Sequence, residues 1–178
     1  MRPQPAKNLA AYFSREGANY VNGRIVNLLI GNTQTVAEMI RAILTCDTFR
    51  IRTVNDYPMD YEQATRVAQE ELRKGARPEL LMRVQDMPGY ETVLLGYPNW
   101  WGTMPMAVYT FLEQHDLGGK TILPFCTHEG SGLGRSVQEI VKLCPKADVR
   151  EGLAIRGGSI GSAKPEIEKW LKKNGLIQ

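Results

Sequence analysis

Three short stretches of this chain carry residue types that can hold a charged, ring-bearing ligand, and each follows an apolar run. Ser14 follows Leu9-Ala10-Ala11-Tyr12-Phe13, and its segment resumes at Gly31-Asn32-Thr33-Gln34-Thr35. Pro98-Asn99-Trp100-Trp101-Gly102-Thr103 follows the run from Thr92 to Tyr97. Thr127-His128-Glu129-Gly130-Ser131-Gly132-Leu133-Gly134 follows the run from Thr121 to Cys126. A helix N-terminus offers unpaired N–H groups and a partial positive charge, which suit a phosphate. Ser14 and Thr33 can add hydroxyl donors there and Asn32 an amide, while Gly31 lets the backbone come close. The same residues also read as simple caps of a turn and a helix. Trp100 and Trp101 offer flat surfaces for stacking on a ring. Two adjacent tryptophans do not easily share one core pocket, so one of them is expected to meet the ligand. Gly102 would let a backbone N–H reach the ring's edge.

The third stretch is glycine-rich but lacks the dinucleotide fingerprint, since its glycines fall at 130, 132 and 134. Backbone N–H groups of Glu129, Gly130 and Gly132 can bind ring carbonyl oxygens, and Ser131 lies between them. His128 reads either as a proton donor at the ring edge or as a residue that steadies the loop. Cys126 reads as a small buried thiol rather than a nucleophile.

The elements that must position these loops follow from periodicity. Leu9 to Phe13 is a first strand. Val36, Met39, Ile40, Ile43 and Leu44 recur at helical spacing, which predicts a helix from about Thr33 to Leu44. Thr48 to Val54 alternates and predicts a second strand. Asn55 to Asp60 is a turn, and Tyr61 to Lys74 a charged helix ended by Gly75 and Pro78. Thr92 to Tyr97 is a third, central strand. Pro105 suits the first turn of a helix reaching about Gln114. Lys120 to Cys126 is a fourth strand, although Pro124 counts against a fully paired interior position. Ser136 and Glu139 have capping-box spacing. Asp148 to Ile155 is a more polar edge strand, and Pro165 to Lys173 a last helix burying Ile167, Trp170 and Leu171.

Strands alternating with helices predict an α/β fold. With right-handed crossovers, five parallel strands form a three-layer α/β/α sandwich in the order 2-1-3-4-5. Ligands then bind outside the carboxyl ends of the strands, at the switch point between the first and third. Residues 1–178 read as one domain. Residues 15–30 form an insertion within the first loop, either a hairpin over the site, bringing Tyr20 or Arg15 to a substrate, or a plain surface loop.

Composition narrows the function classes. The chain has 178 residues, 43% hydrophobic and 23% charged, which fits an ordinary globular protein. No apolar stretch is long enough for a membrane span. Met1 to Lys7 lacks the apolar core of a signal peptide, so a cytoplasmic protein is expected. Cys46, Cys126 and Cys144 follow no metal-ligand spacing and read as reduced thiols. The net charge is +3 with scattered lysines and arginines, so no nucleic-acid partner is expected.

The segments Ala11-Tyr12-Phe13-Ser14-Arg15, Gly31-Asn32-Thr33, Gly96 to Gly102 and Pro124 to Gly132 together resemble the flavodoxin-like superfamily. The closest likeness is to the flavodoxin branch with a split phosphate loop, over nearly the whole chain. The resemblance implies the flavodoxin-like fold, whose strand order is the one given above, and one noncovalent FMN. It makes Ser14, Asn32 and Thr33 phosphate ligands. It sets Pro98, Asn99, Trp100, Trp101 and Gly102 beside the isoalloxazine, and Thr127, His128, Glu129, Gly130, Ser131 and Gly132 at its other edge. Two features depart from the family pattern. The phosphate loop is interrupted, and the acidic surface usual in flavodoxins is absent. Pro98 to Gly102 is also similar to the loop of FMN-dependent quinone reductases. Three functions are therefore expected: electron transfer to a redox partner protein; oxidoreduction from NAD(P)H to a small acceptor such as a quinone; or FMN binding without turnover. An acidic docking surface would favour a shuttle, and the basic balance weakens that reading.

Overall fold

Three apolar runs build the centre of a parallel sheet. They are β1 (Asn8–Phe13), β5 (Thr92–Pro98) and β6 (Thr121–His128), almost wholly buried. The computed structural model describes residues 7–178, and the first six residues of the polar N-terminal stretch lie outside the described residues. β1 lies between β5 and β4 (Asp47–Ile51), with Leu9 level with Val93 and Asp47. β5 in turn pairs with β6, Val93 level with Ile122.

The fifth position is filled in two pieces. β7 (Asp148–Val149) pairs with Thr121 and Ile122, and β8 (Leu153–Arg156) with Phe125 to His128. The sheet thus runs β4-β1-β5-β6-β7, with β8 also on β6. This is the expected 2-1-3-4-5 order with its last strand divided. Pro124 explains the division. Lys120 and Ile122 carbonyls accept from Asp148 and Arg150 N–H groups, so alternate residues of β6 face that side. Pro124 is next in that series and has no N–H to give. It pairs with Leu95 on its other side and occupies the interior strand after all.

Two helical layers close the sheet. On one face α1 (Asn32–Ile43) and α5 (Lys164–Lys173) bury Val36, Ala37, Ile40, Ile167, Trp170 and Leu171. On the other, α3 (Met106–Gln114) and α4 (Ser136–Leu143) bury Val108, Phe111, Leu112 and Ile140. Each fully buried side chain of this size contributes about 1.5–3 kcal/mol. α2 (Tyr61–Lys74) is held at its start by Asp60, whose Oδ1 accepts the Gln63 N–H at 2.9 Å. It ends at Gly75, which takes a left-handed conformation at φ 59°.

Boundaries differ from expectation in two places. β4 stops at Ile51, and beyond it Thr53 makes only an isolated bridge to Leu80. The capping box does not form. Ser136 is the first residue of α4 rather than its cap, and its hydroxyl donates to the Leu133 carbonyl at 2.6 Å and meets the Tyr97 hydroxyl at 2.8 Å. A buried tyrosine hydroxyl needs a partner, and Ser136 supplies it.

The insertion is a hairpin of β2 (Gly17–Val21) and β3 (Arg24–Leu28). Its turn residues, Asn22 and Gly23, have φ of 50° and 82°. Two positive φ values in a two-residue loop match the twist of the flanking strands, which is why an Asn-Gly pair serves there.

Candidate functional site

A cleft of about 430 Å³ opens at the carboxyl ends of the central strands. Its lining includes Ser14, Asn32 and Thr33 at one end, Pro98, Asn99, Trp100, Trp101 and Gly102 at another, and Thr127, His128, Glu129 and Ser131 beside them. Twelve of the fourteen candidate residues thus share one cavity. Gly130 and Gly132 lie off its wall.

The start of α1 is built by close backbone approach. A β-carbon on Gly31 would collide with Ser14 Oγ and the Arg15 carbonyl, so only glycine lets the two halves of the interrupted loop meet. Ser14 Oγ accepts the Gln34 N–H at 3.0 Å and caps a helix that begins eighteen residues later in sequence. Its own hydroxyl proton remains available to a ligand. The Asn32 and Thr33 N–H groups are among the first-turn donors that helix geometry leaves unpaired. Thr33 Oγ1 meets Thr127 Oγ1 at 2.8 Å, tying this end to the glycine-rich loop.

The tryptophan loop separates its two indoles. Trp100 packs edge-to-face on Phe13 and Tyr57, with centroids 5.2 and 5.1 Å away. Trp101 sits at φ 56°, a rare conformation for a bulky residue. That turn carries its ring outward, 45% exposed, onto α2, where Nε1 donates to the Thr65 carbonyl at 3.1 Å. Tyr57 is fixed behind Trp100 by donating to Glu71 Oε2 at 2.7 Å. Burial raises the pKa of both Tyr57 and Glu71, and the tyrosine's hydrogen bond partly offsets the rise at Glu71.

Asn99 joins the two ring-side loops. Its Nδ2 donates to the Gly132 carbonyl at 2.8 Å and its Oδ1 accepts the Gly102 N–H at 3.0 Å. The Gly102 N–H, expected to face a ligand, is therefore engaged within the loop. The Gly130 N–H is engaged as well, donating to His128 Nδ1 at 2.9 Å. His128 thus steadies the loop as a neutral ring with its proton on Nε2. Burial lowers its pKa, outweighing the nearby Glu129 charge. Glu129 and Gly132 N–H groups have no acceptor among the described residues. Cys126 lies beneath, its thiol pushed up by burial and directed at the Gly132 carbonyl at 3.6 Å.

Glu129 and Arg15 act as ties. The Glu129 carboxylate accepts from the Gly158 N–H at 2.7 Å and the Asn22 N–H at 3.2 Å, fastening the hairpin tip. The Arg15 guanidinium donates to the carbonyls of Ala18, Pro58, Met59 and Asp60, fastening the hairpin base. One wall was not anticipated from the sequence. Tyr61, Ala64, Thr65 and Ala68 of α2 line the cleft at spacings of three and four residues. Small residues on one helix face next to an aromatic loop are the signal that could have marked it.

The comparisons agree with this architecture. No curated protein matches the sequence. A presumed flavoprotein from Bacteroides eggerthii shares 27% identity at a TM-score of 0.78, over 96% of this chain and 99% of that one. A second, from Bacteroides uniformis, shares 24% at 0.72, over 93% and 99%. A flavoprotein from Lactobacillus acidophilus, solved in complex with FMN, shares 20% at 0.66, over 93% and 98%, a likeness of fold. The flavodoxin family profile matches residues 7–174, nearly the whole described chain, and with the strand order and the cleft already in place this protein belongs to the flavodoxin family.

Proposed function

We propose that the cleft holds one noncovalent FMN and that the protein is a cytoplasmic carrier of electrons through it. One observation carries the reading: a single cleft joins the N-terminus of α1 to a loop bearing two tryptophans. The residues fit the group. Gly31 keeps the helix start open to a phosphate, with Ser14 Oγ, the Thr33 hydroxyl and the Asn32 and Thr33 N–H groups as its donors. Trp101, with Pro98, Asn99, Trp100 and Gly102, forms a wall for the isoalloxazine. Thr127, His128, Glu129 and Ser131 form its opposite edge, where the Glu129 N–H is a free donor for a ring carbonyl. Bound FMN supplies reversible uptake of electrons, and the chain's part is to bind, orient and shield it. Family membership and the FMN in the Lactobacillus acidophilus structure support the cofactor. Three cysteines, all free, fit a reducing compartment.

A second reading, FMN-dependent oxidoreduction of a small acceptor, is favoured by the hairpin. It puts Tyr20 and Asn19 on the cleft wall, where an uninterrupted loop would leave solvent. An anaerobic, stepwise reductive titration of the FMN-loaded protein, followed by absorbance, tests both. Two resolved one-electron steps are expected for a carrier. A single two-electron step would overturn that reading in favour of the oxidoreductase. Failure to take up FMN would remove both.

A further inference from the structure

The hairpin stands apart from the main sheet as a sheet of two strands. A two-stranded hairpin is marginal by itself, and further strands on its edge steady it. β2 is the strand held to the body, by the Ala18 N–H on the Met59 carbonyl at 3.0 Å and by the Tyr20 ring on Tyr61. β3 is the outer strand.

The register shows which groups of β3 are open. Hydrogen-bonded and non-hydrogen-bonded pairs alternate along an antiparallel ladder. The two-residue turn closes on Val21 and Arg24 as a bonded pair. Asn19 with Val26 and Gly17 with Leu28 are then bonded pairs as well. Ile25 and Asn27 therefore turn their N–H and C=O groups away from β2. No backbone group elsewhere among the described residues meets them. The edge also lacks the features that discourage pairing, since Ile25 to Ile30 contains neither a charge nor a proline. Its apolar side chains are open, Ile25 at 49%, Leu29 at 90% and Ile30 at 48% exposure.

This edge matches itself. Twofold antiparallel pairing of β3 with a second copy sets outward-turned residues against each other. With Asn27 opposite Asn27 of the second copy, Ile25 falls opposite Leu29, the residue that follows β3, on both sides of the axis. The alternative centred on Val26 would set Ile25 against Asn27 and leave Leu29 uncovered. In the matched register the two Arg24 side chains lie about 20 Å apart along the strands, so like charges do not face each other.

We propose that β3 is a self-pairing surface and that two copies of this chain join there as a twofold dimer, with Asn27 on the axis. The two Asn27 residues exchange both backbone hydrogen bonds, and Ile25 and Leu29 cover each other. The hairpins become one four-stranded sheet in the order β2-β3-β3-β2. Each copy has one such edge, so the pairing closes and does not propagate. The proposal is independent of the cofactor.

One strand pair is smaller than the standard interface of about 1,600 Å². The dimer is therefore expected in the micromolar range, within reach of sedimentation equilibrium on the full chain from about 5 to 500 μM. Asn27→Pro removes an outward N–H and spares the bonds to β2, and Ile25→Lys places a charge in the contact. Each is expected to weaken the dimer at least tenfold, with circular dichroism unchanged. A second measurement reads the register. Under mild oxidation Asn27→Cys, on the axis, is expected to give a disulfide-linked dimer above the wild-type background, and Ile25→Cys, whose two copies lie about 14 Å apart, is not. A monomer over the whole concentration range overturns the proposal. So does a dimer that neither Asn27→Pro nor Ile25→Lys weakens, which would place the contact on another surface. If the proline variant does not fold, the lysine variant decides. Absent cross-linking at residue 27, or equal cross-linking at 25 and 27, overturns the paired register and the proposal with it.

Discussion

At the phosphate end, backbone segments from Ser14 and Gly31 touch so closely that no side chain fits between them, and the Asn32 and Thr33 N–H groups have no acceptor among the described residues. At the ring end the loops are held by their own hydrogen bonds. Asn99 takes the Gly102 N–H, and His128 takes that of Gly130. The first end is ready before a ligand arrives. The second presents aromatic faces and keeps much of its polar capacity for itself. Affinity should therefore depend on backbone fit at one end and on ring stacking at the other.

Gly31→Ala attacks the prebuilt end and should have the largest effect. The added methyl must displace Ser14 or the Arg15 peptide, and overpacking of this kind costs about 1–3 kcal/mol. FMN affinity, measured by fluorescence titration, is expected to fall by roughly 100-fold, because a displaced Ser14 or Arg15 peptide no longer presents its donors together with the helix start. Near-native affinity would show that the phosphate does not sit at this helix start. Trp100→Ala combined with Trp101→Ala attacks the other end. Loss of stacking of this type is worth about 1–3 kcal/mol. Trp101 lies outside the core while Trp100 packs on Phe13 and Tyr57, so the Trp101→Ala single variant should lose affinity with little loss of fold stability. Unchanged FMN affinity in the double variant would remove the ring assignment.

The smallest effect concerns pH and sharpens the contrast. The His128 pKa is lowered in the folded protein, so the neutral ring is the form the fold favours. Its contribution is fully present above the ordinary histidine value of about 6.5 and is lost as pH falls through the lowered folded value. Protonation puts a hydrogen on Nδ1 and ends its role as acceptor for the Gly130 N–H. Acidification should therefore lower the amide-exchange protection factor at Gly130 while leaving that of the Gln34 amide, bonded to Ser14, unchanged. His128→Asn should abolish the difference, and an equal loss of protection at both amides would contradict the proposed division of the cleft.

The layered fold was readable because its signals are local. The run from Thr92 to Tyr97 and the spacing of Val36, Met39 and Ile40 each specify one element with one buried face. The helix starts and strand ends that frame the cleft followed from those elements. What escaped depends on residues distant in sequence. Nothing near Gly102 says that Asn99 will take its N–H, and nothing near Glu129 points to Asn22, 107 residues away. The capping box failed for the same reason, since Tyr97 claims the Ser136 hydroxyl from another element. The α2 wall escaped because alanine and threonine at helical spacing leave no strong pattern. The hairpin was one of two readings, and the Asn22-Gly23 pair is the local sign that could have decided between them.

The divided strand beyond β6 has a consequence for the molecule among its own kind. A long, regular sheet edge is a template on which another chain can add a strand. Here that margin consists of two strands of two and four residues, offset around a proline. Neither piece is long enough to guide a continuous ladder, so Pro124 should help keep concentrated solutions of this basic protein free of edge-to-edge aggregates.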